Sequence, residues 1–149
     1  GRGEVRLASA DPDAAPLIHQ RFCEDERDAA RLAACFKDVL AFTRTPQIGA
    51  LADHIVFPRG APDDEDLKAL CRRFSGSGYH PCATAKMGAA SDPMAVVNQY
   101  GQCHGVEALA IADASIMPFV PRANTNLTAI MIGEKIGEWL RTRPALYGL

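Results

Sequence analysis

Apolar side chains recur at helical spacing in three stretches of the chain, which predicts three helices. The first is expected over Asp25–Arg44 and the second over Asp63–Phe74, and in each the leading aspartate is a favourable N-cap residue. The third is expected to begin within Thr125–Thr128 and to end near Arg141. We expect each helix to bury its apolar stripe, which is Leu32, Cys35, Phe36, Val39 and Leu40 in the first, Leu67, Leu70 and Cys71 in the second, and Leu127, Ile130, Met131, Ile136 and Leu140 in the third.

Short runs outside the helices predict extended structure. Residues 3–8 alternate apolar and polar side chains, which is typical of a strand with one buried face, whereas residues 17–22 fit neither period. Residues 94–98 predict a short apolar strand, and residues 108–112 are apolar at nearly every position, which predicts a second short strand that is covered on both faces. A turn centred on Gly101 is expected between them. Helices and strands together predict an α+β fold.

Composition and charge narrow the class of protein. The 149 residues are 48% hydrophobic and 23% charged, which are ordinary values for one globular domain. The formal net charge is −2, and the 16 basic residues are scattered among 18 acidic ones without a basic block. Such a pattern suggests no nucleic-acid partner and no membrane surface.

The five cysteines are odd in number and lack CxxC spacing, which favours reduced thiols and a cytoplasmic location. An alternative is a metal site built from two short His/Cys pairs in separate segments. It is disfavoured because neither pair has the ligand spacing of a structural zinc site, so no metal is expected. The residues of that alternative are His80, Cys82, Cys103 and His104.

Two polar side chains are candidates for chemistry. His80 lies at the tip of a Gly/Ser-rich loop, where an imidazole can accept a proton at neutral pH. Asn124 lies in the loop before the third helix, and its amide can both donate and accept a hydrogen bond to hold a substrate oxygen. From the residues alone, a helix-cap or turn role is the simpler interpretation of Asn124.

Four ordered motifs carry a resemblance to a known family. HPCATAKMG at 80–88, VVN at 96–98, HGVEALAIADASIMP at 104–118 and NTNLTAIMIGEK at 124–135 resemble, in order and spacing, the C-terminal signature of the glucose-methanol-choline (GMC) flavoprotein oxidoreductases. Residues 79–141 look closest to the choline dehydrogenase branch. Since the first 18 residues also resemble the start of that family's substrate domain, residues 1–149 are expected to form a GMC oxidoreductase C-terminal domain.

The resemblance implies a fold, an activity and a set of site residues. It implies the substrate-binding part of an FAD-dependent alcohol dehydrogenase or oxidase, with the strand and helix within residues 95–141 belonging to the FAD-binding domain. An alcohol would lose a hydride to the flavin, and His80 would act as general base with Asn124 at the second catalytic position. The residues implied to contact FAD are Tyr79, Asp113, Ala114 and Thr125.

The Gly-rich GxGxxG fingerprint that holds a dinucleotide pyrophosphate occurs nowhere in the sequence. Because the family carries it near the N-terminus of a much longer chain, we expect this chain to be a C-terminal fragment whose partner is the missing FAD-binding part. The fragment alone is expected to be inactive and to bind no FAD. Two alternatives stay open: a lyase like the FAD-containing hydroxynitrile lyases, and a non-catalytic chain that only folds or associates.

Overall fold

The computed structural model describes all residues 1–149, and they divide into two compact units, Gly1–Gly76 and Ser77–Leu149. The first unit contains strands β1 (Glu4–Arg6) and β2 (Leu17–His19) and helices α1 (Glu26–Thr43), α2 (Pro46–Gly49) and α3 (Asp64–Phe74). The second unit contains helix α4 (Asn126–Thr142) and two single 3-10 turns, Ala114–Ile116 and Pro144–Tyr147.

The first unit confirms the sequence predictions for two helices and one strand. Strands β1 and β2 pair antiparallel with Val5 opposite Ile18, so residues that fitted no single period form the second strand of a small sheet. Helix α1 begins after Asp25, whose carboxylate accepts the Arg27 backbone N–H at 2.9 Å. Hydrogen bonds to the Arg27 side chain and backbone hold the pKa of Asp25 well below its usual range. Helix α3 begins in the same way, with a reciprocal capping box at its first turn.

The buried face of α1 differs from the predicted stripe. Leu32 and Val39 are 43% and 53% exposed and Cys35 is exposed, whereas Ala29 and Ala33 are buried. Helix α1 packs against α3, and Ala29 of α1 lies in one buried cluster with Cys71 of α3. The inward prediction for α3 is confirmed for Leu67 and Cys71, which are buried, whereas Leu70 is half-buried.

The core of the second unit lies against one side of α4, and of the five residues predicted to face it only Ile136 is buried. Ile132 and Ile136 are buried, but Leu127, Ile130 and Met131 are 78%, 54% and 56% exposed. Apolar residues occur all round this helix, so their period could not select the buried side. The 3-10 turns Ala114–Ile116 and Pro144–Tyr147 both contact α4, and the side of the helix that they cover is the buried side. The buried cluster consists of Val97, Ile116, Met117, Ile132, Ile136 and Tyr147.

The two strands predicted at 94–98 and 108–112 are wrong, because each run makes only isolated bridges. Val97 bridges Met87 and Cys103, and Ala110 bridges Gln102. Ala108 has a φ of 54°, in the left-handed region, which ends any extended backbone at that point. In this chain Leu109 is 50% exposed and Ile111 is half-buried, so the prediction that both faces of the run are covered stays a prediction for a longer protein.

The predicted turn at Gly101 is confirmed. Its N–H donates to the Asn98 carbonyl oxygen at 3.0 Å, and its φ of 76° is one that glycine adopts without steric cost.

None of the helices combines the length and the apolar character that crossing a bilayer requires.

Candidate active site

The loop that carries His80 is held beside the Asp113–Ala114 pair by backbone hydrogen bonds. Alternate residues of the loop donate their N–H groups to consecutive carbonyls of the neighbouring segment. These bonds run from Ala83 to Ala114 at 3.3 Å, from Ala85 to Ser115 at 3.0 Å and from Met87 to Ile116 at 2.8 Å. Two motifs far apart in the sequence therefore lie side by side, which no local pattern predicted.

Asp113 and Ala114 have structural duties in this arrangement. The Asp113 carboxylate accepts the Ser115 backbone N–H at 2.8 Å and so caps the 3-10 turn that follows. Ala114 contributes a backbone carbonyl to the His80 loop and packs against the buried cluster. Asp113 itself is exposed, at the surface where the loop and the turn meet.

His80 is exposed and is in contact with the start of α4. Its Nδ1 lies 3.1 Å from the Oγ1 of Thr125, and Thr125 is only 6% exposed. Nε2 of the same ring remains for an external partner, and the tautomer of the ring decides whether it can accept a proton. The structure thus joins His80 and Thr125, whereas the sequence had indicated only that each belongs to the site.

Asn124 immediately precedes Thr125 and is exposed. The N-cap of α4 is Thr125, so the helix-cap interpretation of Asn124 is wrong. The amide of Asn124 is consequently not engaged by the helix end. Chain connectivity places it one residue from the partner of His80.

Tyr79 is 90% exposed and precedes His80 with a φ of 64°. A left-handed backbone at a residue other than glycine is uncommon and marks a tight turn. The Tyr79 N–H donates to the Ser77 hydroxyl at 3.1 Å, which fixes this turn on the N-terminal side of His80.

The N-terminus of α4 is suited to a negatively charged group. The first N–H groups of a helix have no partner within it, and Thr125 supplies no side-chain cap to them. The first turn contains no acidic residue. These N–H groups and the positive end of the helix dipole are therefore open to an anion.

Cys82, Cys103 and His104, which formed the alternative metal site together with His80, each have their own contacts in the structure. Cys82 and Cys103 pack at the edge of the buried cluster, and burial raises the pKa of the Cys82 thiol. His104 Nε2 lies 3.1 Å from the Gly88 carbonyl oxygen, which makes Nε2 the donor. All five cysteines are free thiols, and no group of three or more His, Cys, Asp or Glu side chains is placed to hold a metal ion.

Two cavities lie away from His80. One, of about 410 Å³, is bordered by Phe57, Arg59 and Arg73 in the first unit. The other, of about 490 Å³, is bordered by Met87 and His104 in the second unit. Neither includes His80 or Asn124, and both of these side chains are exposed.

Comparison with known proteins agrees with the motif resemblance. The family model described as GMC oxidoreductase matches residues 1–133. An oxygen-dependent choline dehydrogenase of Cronobacter sakazakii is 39% identical over 150 residues, which cover 97% of this chain and 26% of that protein. The chain thus spans about a quarter of the length of the curated relatives that it matches.

Solved structures show the same fold. An FAD-dependent oxidoreductase from Chaetomium thermophilum superposes with a TM-score of 0.84 at 26% identity, over 96% of this chain and 25% of that one. A fungal aryl-alcohol oxidase superposes with a TM-score of 0.78 at 32% identity, over 93% of this chain and 24% of that one. The helices and the small sheet described above therefore correspond to one region of larger proteins.

Proposed function

This chain belongs to the GMC oxidoreductase family, and we propose that it forms the C-terminal, substrate-facing part of an FAD-dependent enzyme that oxidises an alcohol. The observation that carries the proposal is the contact of His80 with Thr125, the N-cap residue of α4. An imidazole that could accept a proton would then lie beside a helix N-terminus that is open to an anion, and both groups would assist the oxidation of an alcohol by a flavin.

His80 and Asn124 have distinct roles in this proposal. Nε2 of His80 accepts the hydroxyl proton of the alcohol, since Nδ1 is already occupied by Thr125. The Asn124 amide holds the substrate oxygen and so orients the carbon that is oxidised. The relatives named for choline and aryl-alcohol substrates support an alcohol with a bulky or cationic substituent, and choline is the first to test.

FAD, when bound, supplies the hydride acceptor, and the residues present fit one end of it. Backbone groups at Thr125 and the uncapped start of α4 would stabilise negative charge on the pyrimidine edge of the flavin. Asp113 and Ala114 lie on the neighbouring segment, and Tyr79 begins the His80 loop, so these three are the further candidate contacts.

The rest of the cofactor site is proposed to lie in a longer protein of which residues 1–149 are the C-terminal domain. The support is the share of the relatives that the chain spans, together with the missing pyrophosphate fingerprint. In that protein α4 and the bridged segments before it belong to the FAD-binding domain, and the exposed Leu127, Ile130 and Met131 would be covered there. The free thiols support a cytoplasmic location.

The test is the rate of flavin reduction in the full-length protein loaded with FAD. We expect His80→Ala to slow anaerobic reduction by alcohol about 10²- to 10⁴-fold, the usual contribution of a general base, while FAD stays bound. The matched control is His54→Ala, which removes an exposed imidazole in the first unit and should leave the rate unchanged. Reduction of His80→Ala at the wild-type rate would refute the assignment. A wild-type protein whose flavin is not reduced by any alcohol would instead support a lyase.

A further inference from the structure

Thr125 is a buried polar residue, and its hydroxyl does not cap the helix that it precedes. A threonine at an N-cap commonly has an extended backbone and accepts an N–H of the first turn. Thr125 instead has φ −73° and ψ −16°, and its side chain makes no capping hydrogen bond. The first turn thereby loses a cap worth roughly 1 kcal/mol, so the hydroxyl is used elsewhere.

That use is the contact with His80, at 3.1 Å from Oγ1 to Nδ1. A buried hydroxyl without a partner is unfavourable, and His80 is its partner here. The two groups are 45 residues apart in sequence, so only the packing of the His80 loop against α4 brings them together. The exposed imidazole would otherwise be free to exchange its proton between the two ring nitrogens.

The direction of this hydrogen bond decides what His80 can do. If Oγ1–H donates to Nδ1, the neutral ring carries its proton on Nε2, and Nε2 cannot accept another. If Nδ1–H donates to Oγ1, Nε2 has a free lone pair and can accept a proton from an alcohol. Only the second arrangement fits a base whose Nε2 faces outward.

We propose that Thr125 is a positioning residue whose Oγ1 accepts the Nδ1–H of His80 and so holds the imidazole in the tautomer that can act as a base. The proposal rests on the proposed function for its catalytic meaning. In the proton-transfer step the O–H bond of the alcohol breaks and an Nε2–H bond forms. The Nδ1–H···Oγ1 bond persists throughout, so the imidazolium that results keeps a partner for its second proton.

Two variants of the FAD-loaded full-length protein separate the hydroxyl from the shape of the side chain. Thr125→Val keeps the volume and removes the hydroxyl, and Thr125→Ser keeps the hydroxyl. We expect Thr125→Val to slow flavin reduction by about 2- to 10-fold, the rate equivalent of one net hydrogen bond, with little change in KM. Thr125→Ser should restore most of the rate. A purely structural role would not produce this difference between the two variants.

The tautomer itself is read by ¹⁵N NMR of the same protein with labelled histidine, and the His80 signal is assigned by its absence in His80→Ala. We expect protonation at Nδ1 in the wild type and loss of that signature in Thr125→Val. Protonation at Nε2 in the wild type would overturn the proposal, and so would equal rates in Thr125→Val and wild type or a Thr125→Ser variant as slow as Thr125→Val.

The proposal and the proposed function fail in different ways. A wild-type rate in His80→Ala would remove the proposed function, yet the tautomer of His80 would still be decided by NMR. A normal effect of His80→Ala together with an Nε2-protonated wild-type ring would remove only the role of Thr125. If Thr125→Val does not bind FAD or fold, the wild-type NMR signature alone decides.

Discussion

Gly101 is the position at which one added methyl group should disturb the second unit most clearly. Gly101 is buried in the turn that precedes the Asp113–Ala114 segment, and its carbonyl oxygen accepts the Ile111 N–H at 2.8 Å. A Cβ at this position would lie 2.5 Å from the Ile111 carbonyl oxygen and 2.7 Å from Cδ1 of Ile136. Ile111 leads directly into Asp113, so the substitution Gly101→Ala also bears on the candidate site.

The magnitude follows from three terms. A left-handed backbone costs a residue other than glycine about 1–2 kcal/mol, and the stiffer unfolded chain returns about 0.4–1 kcal/mol. Crowding against a backbone oxygen that cannot rotate away costs a further ~1–3 kcal/mol. Gly101→Ala should therefore lower the free energy of unfolding by about 1–5 kcal/mol.

Gly105→Ala is the matched control. Gly105 has nearly the same φ, 74° against 76°, but no atom lies within 4 Å of the position of its Cβ. Only the first two terms apply there, so the two variants should differ by the crowding term of ~1–3 kcal/mol. The assay is urea unfolding of the purified chain, followed by fluorescence of Trp139, the chain's single tryptophan, whose ring packs edge-on against Tyr100 at 5.3 Å.

The reasoning is refuted if the two variants unfold with the same free energy, because backbone conformation alone would then account for both. An unchanged stability of Gly101→Ala would be a stronger contradiction. It would show that the Ile111 carbonyl moves away without cost.

Two further predictions concern the chain by itself. Tyr147→Phe should cost about 1 kcal/mol at neutral pH, since it removes the 2.9 Å bond from the phenol to the Tyr100 carbonyl oxygen. Burial raises the pKa of Tyr147, so the stability from the neutral phenol is lost as pH rises above about 10. The difference from Tyr147→Phe in urea unfolding should therefore shrink there, and a constant difference would contradict this. When FAD is titrated into the purified chain at micromolar concentrations, we expect no saturable quenching of fluorescence. One helix N-terminus contributes only ~0.3–1 kcal/mol to the binding free energy, whereas association costs at least ~4 kcal/mol. Saturable binding would show that more of the site resides here than we propose.

The sequence by itself determined the features that depend on neighbouring residues. Asp25 and Asp63 begin helices because their carboxylates reach backbone N–H groups within the next turn, and the α4 pattern is long enough to be identified. The turn at Gly101 was likewise predicted from the residues around it. The ordered motifs also predicted the family, which the family model and the relatives confirm. The roles of His80 and Asn124 stay predictions.

Tertiary structure alone decided which faces are buried, which apolar runs pair, and what His80 contacts. Ile132 and not Leu127 faces the core of the second unit. Apolar residues of α4 occur on every side of the helix, so the segments that pack on it determine which side is buried. The run at 108–112 is apolar yet makes one bridge, because a strand also needs a partner of equal length. The bond between His80 and Thr125 joins residues 45 positions apart, and such a contact depends on how the whole chain packs.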